Sequence, residues 1–223
     1  MKTRNWWGLV WSALLICSVS LAGCGSSGTD TKVMIGEVTR SIFYAPQYVA
    51  LEKGFFKEEG LDVELQTTPG GDKTMTALLS GAIDVALVGS ETSIYVFQQG
   101  SDDPVINFGQ VTQTDGTFLM ARDGSADFDW NSLKGKVFLG QRKGGMPQMA
   151  GEFTLNRKGI DPRNDLELIQ NIDFANIASA YASGTGEFVQ LFEPQARFLR
   201  RKGAARSWLL SAWRAGICHT PSL

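Results

Sequence analysis

Histidine and cysteine are scarce in this chain, with one histidine and three cysteines among 223 residues. His219 lies close to the C-terminus, which argues against a histidine-based catalytic triad and a histidine-rich metal site in the body of the chain. Cys17, Cys24 and Cys218 are too few to build a disulfide framework. We therefore expect no metal site and no disulfide-stabilised fold.

Neither sign of charge dominates, since 21 basic and 23 acidic residues give a net charge of -2. This balance does not call for nucleic acid or an acidic partner, and 43% apolar residues are enough to bury a core. The distribution is uneven, however. Residues 197–223 hold six basic and no acidic residues, so the remaining chain has 15 basic against 23 acidic residues. Two different compositions therefore share one chain.

The first 23 residues have the pattern of a secretory signal peptide. Lys2 and Arg4 precede an apolar run over 6–16 that is too short to span a bilayer comfortably. The run ends in LAGC at 21–24, which resembles the bacterial lipobox and implies a lipid-modified Cys24. Residues 24–31 then read as a flexible tether, which predicts a lipid-anchored protein on the extracytoplasmic face of the cell membrane. The alternative is an ordinary signal peptide cut nearby, with Cys24 incidental.

Short apolar runs alternate with helical patterns over residues 32–196, which indicates an α/β fold. Nearly continuous apolar strands separated by helices are typical of a parallel sheet covered on both faces. A change of domain is expected near 115–127, dividing the body into 32–115 and 116–196. The predicted strands are 32–38, 62–66, 83–88, 105–111, 118–121, 137–139 and 166–169, and the predicted helices are 46–53, 72–80, 92–99 and 147–157.

Ligands in such folds bind where strands end and helices begin, and four segments qualify. In 39–46, Phe43 and Tyr44 could stack on a planar ligand, or pack in the core as a hydrophobic staple. In 69–74, two glycines free backbone N–H groups and Asp72 is predicted as the helix N-cap. The glycine spacing of this second segment does not fit a phosphate loop, so nucleotide hydrolysis is not expected.

The other two segments favour a polar or anionic ligand group. In 89–93, hydroxyls and exposed N–H groups could hold such a group, although a plain capping box would explain Ser90 and Ser93 equally well. In 141–148, Arg142 and Lys143 precede two glycines and a proline, which makes this the best candidate loop for an anion. The alternative is a solvated Arg-Lys pair.

Three stretches resemble solute-binding proteins of ABC importers: FYAPQYVA at 43–50, KGFFKEEGLDV at 53–63 and GAIDVA at 81–86. The resemblance covers about 32–196 and points to the nitrate, sulfonate and taurine type, which shares its fold with thiamine-pyrimidine synthases. It implies a type II periplasmic-binding-protein-like α/β fold with two hinged lobes, of which the second lobe and the return segment are incomplete here. By position, it implies these ligand-binding residues: Ser41, Tyr44, Gly71, Ser90, Glu91, Gly144, Gly145, Met146 and Glu193.

The same resemblance implies a monomer that captures a small molecule and delivers it to an ABC permease and its ATPase, with no cofactor and no catalysis. A sulfonate, a nitrate-like anion and a thiamine pyrimidine precursor are all open as ligands, because the aromatics favour a planar ring and Arg142-Lys143 favours an anion. The rival is an enzyme of thiamine-pyrimidine synthesis, which would need a cofactor such as pyridoxal phosphate. The absence of histidine from the body argues against it.

The basic tail departs from the family pattern, which continues through 188–196. When the third base of each codon in 199–203 is read with the first two bases of the next codon, the segment can encode Glu-Lys-Glu-Gly, similar to what family members carry there. We hypothesise a frameshift just after Ala196, which would make 197–223 an aberrant tail. The alternatives are a basic amphipathic helix that contacts anionic lipid through Trp208 and Trp213, and a truncated copy without function.

Overall fold

The computed structural model describes residues 30–113, 115–123 and 128–209, with the strand at 206–209 described by its backbone alone. The first lobe, residues 31–98, begins with β1 (Thr31–Glu37), a 3-10 turn (Ile42–Tyr44) and α1 (Ala45–Lys53). Pro46 stands at the start of α1, and Gly54 ends the helix with a left-handed φ of 78°. The lobe continues with α2 (Phe55–Glu58), β2 (Leu61–Thr67), α3 (Gly71–Leu79), β3 (Val85–Leu87) and α4 (Glu91–Gln98).

The second lobe, residues 118–209, contains five strands. Its elements are β4 (Phe118–Ala121), a 3-10 turn (Trp130–Leu133), β5 (Val137–Leu139), α5 (Met146–Arg157), β6 (Glu167–Ile169), α6 (Ile177–Ala182), β7 (Phe188–Leu191), α7 (Gln195–Arg201) and β8 (Arg206–Leu209). Residues 99–117 connect the two lobes.

Each lobe has its own sheet, and the first sheet is parallel as the sequence pattern predicts, whereas the second is mixed. The first is parallel in the order β2-β1-β3, and β1 pairs with β2 from Thr31–Leu61 to Glu37–Thr67. The second has the order β6-β5-β7-β4-β8, with β4 antiparallel to both of its neighbours. The strand β4 follows directly on the connection between the lobes and runs opposite to its neighbours. The apolar pattern of a strand does not encode its direction, so the sequence did not predict this.

Successive side chains along the strands of the second sheet point to opposite faces, and both faces are covered, as expected. Leu119, Phe138 and Phe188 pack on one face with residues of α5, including Leu155. Met120, Leu139 and Val189 pack on the other face against α6 and α7, including Tyr181. The second lobe therefore has a hydrophobic core on each side of its sheet.

The strand predicted over 105–111 is absent, and this prediction is wrong. Within the described part of the chain, residues 104–113 form no backbone-to-backbone hydrogen bond, and Ile106 and Phe108 are 73% and 81% exposed. A strand exists only through pairing with a neighbouring strand, and none of the strands that the structure describes pairs with this segment. The other predicted strands and helices are present, and their ends agree within two residues.

The predicted signal peptide, Cys24 and most of the tether lie outside the described residues, so these assignments stay predictions. The domain limits at 115 and 196 also stay predictions. Among the residues that the structure describes, no helix has both the length and the apolar character needed to cross a membrane. The same residues contain no group of His, Cys, Asp and Glu side chains suited to a metal ion.

Candidate functional site

The parallel strands of both sheets end toward the contact between the lobes, which brings the four predicted loops near one another. Gly71 at the start of α3 lies close to the second lobe, since a β-carbon built on it would be 3.6 Å from the carbonyl oxygen of Gly144. Arg142 of the second lobe forms a bidentate ion pair with Asp72 of the first, with 2.9 Å between Nη2 and Oδ2. The carboxyl ends of parallel strands thus form a cleft between the lobes, as the fold class leads one to expect.

Glu91 joins the two lobes within this cleft. It lies at the start of α4, is 3% exposed, and accepts a hydrogen bond of 2.7 Å at Oε1 from the backbone N–H of Met146. Met146 begins α5, so a carboxylate of the first lobe satisfies a free N–H group at a helix start of the second lobe. Burial raises the pKa of Glu91, while its hydrogen bonds act in the opposite direction.

The second carboxylate oxygen of Glu91, Oε2, is buried and has no hydrogen-bond partner among the described residues. The loop before α4 leaves room for this carboxyl group, because a β-carbon on Gly89 would collide with both oxygens. An unpaired buried carboxylate oxygen is costly, so a donor that reaches it would be bound favourably. Sequence reasoning finds Glu91 by position but does not show that half of its carboxylate is unpartnered.

Tyr44 lies near Glu91 and near a second buried carboxylate, Glu37. Its pKa is raised by burial first, and then by the charges of Tyr48, Glu37 and Glu91, so its hydroxyl stays protonated. This hydroxyl forms no hydrogen bond with any residue that the structure describes. Tyr44 is therefore a half-buried neutral donor beside carboxylates.

Glu37 ends β1 and is fully buried, and it organises the loop that follows. The Tyr48 hydroxyl donates to its Oε2 at 2.8 Å, and Arg40 Nε lies 2.9 Å from its Oε1. Tyr48 in turn accepts a hydrogen bond of 3.1 Å from the backbone N–H of Ser41. The Ser41 hydroxyl accepts from the N–H of Phe43 at 3.2 Å, which caps the 3-10 turn. These bonds fix the orientation of Tyr44.

Aromatic side chains from both lobes meet beside Tyr44. Phe43 packs edge-to-face on Tyr44, with ring centroids 5.6 Å apart, and on Phe192 of the second lobe at 5.2 Å. Phe192 also contacts Phe174, at 5.0 Å. Phe43 and Tyr44 were predicted as either ligand or core residues, and the structure places Phe43 in contact with both lobes. Neither Phe174 nor Phe192 was predicted as a ligand-binding residue, although Phe192 lies in the stretch 188–196 that continues the family pattern.

The remaining predicted residues occupy different positions. Gly144 has a φ of 93° and donates its N–H to Gln148 Oε1 at 3.1 Å, and Gly145 is the N-cap residue of α5. Ser90 is exposed, and its side chain does not cap α4, so the capping-box alternative does not apply to it. Glu193 directs Oε2 to the N–H of Arg197 at 3.0 Å and thus stabilises the start of α7.

The expectation that Arg142 receives an anion needs revision. Its guanidinium is engaged by Asp72 and lies 3.7 Å from Asp173, and these carboxylates raise the pKa of Arg142. The hydrogen bond from Arg142 in turn lowers the pKa of Asp72. Asp72 was predicted as the N-cap of the helix, but α3 begins at Gly71 with Gly70 as N-cap. Lys143 is exposed and forms no ion pair within the described ranges. In this cleft Oε2 of Glu91 is unpaired, whereas Arg142 is already engaged by carboxylates.

A buried polar group lies where the connection enters the second lobe. Asp115 accepts hydrogen bonds at Oδ2 from the N–H of Thr117, at 3.1 Å, and from its hydroxyl. The Thr117 hydroxyl accepts in turn from Gln190 Nε2 at 2.9 Å, and Gln190 also donates to the carbonyl of Pro147. Burial raises the pKa of Asp115 to about 6.

A cavity of about 400 Å³ lies within the second lobe. Its lining includes Lys143, Gln148, Glu152 and Gln170, and it contains none of the nine predicted ligand-binding residues. Glu152 Oε1 already accepts hydrogen bonds from Gln148 and Gln170. The cavity is therefore a feature of one lobe, whereas the carboxylates and aromatics above come from both.

Residues 42–221 match the family described as NMT1/THI5 like. YtlA of Bacillus subtilis (strain 168), a proposed binding protein, is 70% identical over 184 residues, which cover 82% of this chain and 55% of YtlA.

Solved structures of binding proteins have the same fold. The alkanesulfonate-binding protein SsuA from Xanthomonas axonopodis pv. citri, bound to MOPS, superposes with a TM-score of 0.62 at 21% identity, over 86% of this chain and 64% of that one. The periplasmic nitrate-binding protein NrtA from Synechocystis PCC 6803 gives a TM-score of 0.64 at 18% identity, over 79% and 50%. The α/β fold is therefore that of periplasmic solute-binding proteins, and the chain spans little more than half the length of these relatives.

Proposed function

The chain belongs to the NMT1/THI5-like family, and we propose that it binds a small polar solute in the cleft between its lobes and delivers it to an ABC permease and its ATPase. The observation that carries this proposal is the meeting of Tyr44, Phe43 and Glu91 of the first lobe with Met146 and Phe192 of the second. A ligand that contacts both lobes would stabilise their closure. The binding role of the related proteins agrees with this proposal.

No catalytic step is part of this proposal. The cleft supplies carboxylates, a neutral tyrosine and aromatic rings, and the chain has no histidine outside its tail. These groups can orient and desolvate a ligand. A thiamine-pyrimidine-synthase-like enzyme would require ligand turnover, and no arrangement of the residues above favours it.

Among the three candidate ligand classes, the thiamine pyrimidine precursor fits the cleft best. Glu91 Oε2 offers an unpaired acceptor, Tyr44 offers a donor, and the rings of Phe43 and Phe192 offer apolar faces. An aminopyrimidine carries N–H donors, ring acceptors and a flat apolar surface. A sulfonate or a nitrate-like anion would need Arg142, which Asp72 already neutralises.

Thermal unfolding of residues 25–223 with a panel of pyrimidine precursors, sulfonates, nitrate and bicarbonate tests the proposal. A ligand at one hundred times its dissociation constant adds about 2.7 kcal/mol to the free energy of unfolding, which raises the midpoint measurably. Tyr44→Phe should reduce the effect of a pyrimidine, whereas the control Tyr95→Phe should not, because the Tyr95 hydroxyl contacts Met149 instead.

A cooperative transition that no compound shifts would contradict these ligand classes. A sulfonate that raises the midpoint while pyrimidines do not would contradict the choice among them. The complete lack of a cooperative transition would favour the truncated copy without function.

We also propose that the mature protein is anchored by lipid on Cys24, at the extracytoplasmic face of the membrane, and acts as a monomer. The LAGC motif and the tether composition support the anchor. Metabolic labelling with a radioactive fatty acid should label the chain, and Cys24→Ala should remove the label. Labelling of the variant would contradict the anchor at this residue.

The frameshift after Ala196 likewise stays a proposal. Its support is the acid-free composition of 197–223 and the family-like peptide in the shifted frame. The family match runs to residue 221 and includes this tail, and Leu199 and Ala205 are buried in the second lobe. The nucleotide sequence of the gene tests this proposal. If the shifted frame after Ala196 does not encode a family-like peptide, the frameshift is disproved.

A further inference from the structure

The side chain of Gln190 is a polar group in the middle of an otherwise apolar strand. Gln190 lies on β7, the central strand of the second sheet, and is 1% exposed, with the buried residues Val189 and Leu191 on either side in the chain. A hydrophobic residue of similar size would fill this position without the cost of burying an amide. A buried amide is satisfied only if both of its N–H groups find acceptors, so the acceptors show what this residue holds in place.

Both acceptors belong to segments that border the cleft. Gln190 Nε2 donates to the hydroxyl of Thr117 at 2.9 Å and to the carbonyl of Pro147 at 2.8 Å. Thr117 is the last residue of the connection between the lobes, and Pro147 lies in the first turn of α5, next to Met146. The side chain therefore joins the connection to the start of the helix that Glu91 caps.

The main chain of Gln190 fixes the other end of the same loop. Its carbonyl accepts a hydrogen bond from Nε2 of Gln141, which is 2% exposed and follows β5. Gln141 and Pro147 enclose the segment 144–146, whose three residues the sequence predicts to bind ligand. One residue of the central strand thus holds both ends of the loop 141–147.

Helix α5 provides the space for this amide through Gly151. A β-carbon on Gly151 would lie 2.5 Å from Oε1 of Gln190 and 3.1 Å from its Cδ. Glycine weakens the interior of a helix, and Gly151 stands in the middle of α5. The contact between helix and amide is therefore made at the expense of helix propensity.

We propose that Gln190 is a positioning residue for the cleft, an inference that rests on the solute-binding role proposed above. From the central strand it holds the loop 141–147 in the shape that presents the N–H of Met146 to Glu91 and receives the solute. Through Thr117 it joins this loop to the connection between the lobes. Because Gln190 is buried, it acts through the loop and not by contact with the solute.

Titration of Glu91 in the full chain tests this role without any ligand. Gln190→Met keeps the approximate size of the side chain but removes both N–H donors. Burial raises the pKa of Glu91 and the hydrogen bond from Met146 opposes this rise, so displacement of the loop should raise that pKa further. Nuclear magnetic resonance of the Glu91 carboxyl carbon measures it, while the neighbouring Tyr44 stays protonated. Exchange of the Met146 amide with solvent should become roughly tenfold faster.

Thr154→Val is the matched control, because it also replaces a buried polar side chain of the second lobe by an apolar one of similar shape. Thr154 is 3% exposed, and its hydroxyl donates to the carbonyl of Ala150 within α5 at 2.7 Å. The control should lower the midpoint of thermal unfolding. It should leave the pKa of Glu91 and the exchange of the Met146 amide unchanged, since it does not touch the loop.

Gly151→Ala is a second and milder variant, which also decides the question if Gln190→Met does not fold. The new methyl group pushes Gln190 away from α5. We expect the pKa of Glu91 to rise in this variant as well, by less than in Gln190→Met. An unchanged pKa of Glu91 in every variant that folds would overturn the proposal. An equal rise in Thr154→Val would also overturn it, because the effect would then be general destabilisation.

Binding of a thiamine pyrimidine precursor, measured by calorimetry, adds a readout of the cleft itself. Its affinity should fall roughly tenfold in Gln190→Met and stay constant in Thr154→Val. Equal affinity of Gln190→Met and the original chain would contradict the positioning role. If the precursor does not bind the original chain, the choice of ligand fails, whereas the titration and the amide exchange still decide the role of Gln190.

Discussion

The backbone N–H of Met146 donates to Glu91 Oε1 at 2.7 Å, so the first helix of the second lobe is capped by a carboxylate from the first lobe. Capping groups are normally local in sequence, but these two residues are 55 positions apart. The bond exists only while the lobes are in contact. It therefore couples the stability of α5 to the closure of the cleft.

Replacement of Glu91 tests this coupling. Glu91→Ala leaves the Met146 N–H without its acceptor, and loss of a hydrogen bond to a charged group costs about 1.5–3 kcal/mol. Denaturant unfolding should show a decrease of this size in the free energy of unfolding. The neighbouring control Ser90→Ala should change it by less than about 0.5 kcal/mol, because Ser90 is exposed and its side chain caps nothing. Equal effects of the two variants would contradict the coupling.

Asp115 predicts a dependence of stability on pH. Its pKa is raised by burial from 3.8 to about 6, so the folded state holds the proton more tightly than the unfolded state. Its contribution to the free energy of unfolding is therefore highest below pH 4, falls as pH rises from about 4 to about 6, and stays low above that range. Ionised Asp115 costs the folded state on the order of 3 kcal/mol at pH 7.

Asp115→Asn removes this penalty while it keeps an acceptor for Thr117. We expect the variant to be more stable than the original chain at pH 7.5 and to match it near pH 4. Unfolding in urea at both pH values measures the difference. The same difference at pH 4 and pH 7.5 would show that Asp115 does not titrate in this range.

The ion pair of Arg142 and Asp72 predicts a salt-dependent contact between the lobes. Both side chains are partly exposed, at 28% and 52%, so their coupling energy should be only about 0.5–1 kcal/mol. Arg142 lowers the pKa of Asp72 in the folded state. The coupling energy should therefore be fully present above the ordinary pKa of Asp72 and should be lost as the pH falls through the lowered, folded-state pKa. A double-mutant cycle with Arg142→Ala and Asp72→Ala measures it.

Lys134 and Asp165 provide the control, since this ion pair of 3.4 Å lies within the second lobe. The radius of gyration from small-angle X-ray scattering should increase for Arg142→Ala and stay constant for Lys134→Ala. High salt should reduce the difference in radius of gyration between Arg142→Ala and the original chain. An unchanged radius for Arg142→Ala would mean that the pair does not hold the lobes together.

Gly151 on α5 is predicted to be intolerant of a side chain. A β-carbon there would lie 2.5 Å from Oε1 of Gln190, which is buried and holds Thr117 and the carbonyl of Pro147. Displacement of Gln190 should lower the free energy of unfolding of Gly151→Ala by about 1–3 kcal/mol, despite the better helix propensity of alanine. Gly109→Ala, with open space around the new methyl group, is the control for denaturant unfolding. A stabilised Gly151→Ala would show that Gln190 moves without cost.

The sequence predicted local structure well where side-chain chemistry acts within a few residues. Pro46 and Gly54 bound α1, and Gly145 followed by Pro147 marks the start of α5, because proline and glycine restrict or free their own backbone. Apolar runs identified β1, β5 and the strands between them. The resemblance to solute-binding proteins also led to Tyr44 and Glu91, two residues of the cleft.

Prediction from the sequence failed where the outcome depended on distant partners. The segment 105–111 has the pattern of a strand but lacks a neighbour to pair with. In the sequence Arg142 has no acidic neighbour and is predicted to be a free cation. In the structure it pairs with Asp72, which lies 70 residues earlier in the chain. Asp115 lies in no motif, and the family-like stretch 188–196 does not single out Phe192, so the roles of both residues are seen only from their contacts in the structure.

Most strands and helices from β1 to β6, the turns that bound them and the composition of the cleft loops were thus determined by local conformational preference and apolar periodicity, which are properties of neighbouring residues. The antiparallel direction of β4, the capping of α5 by Glu91 and the raised pKa of Asp115 were decided only by tertiary structure. Each depends on burial and on contacts between residues far apart in the chain, and these exist only after the lobes have folded and met.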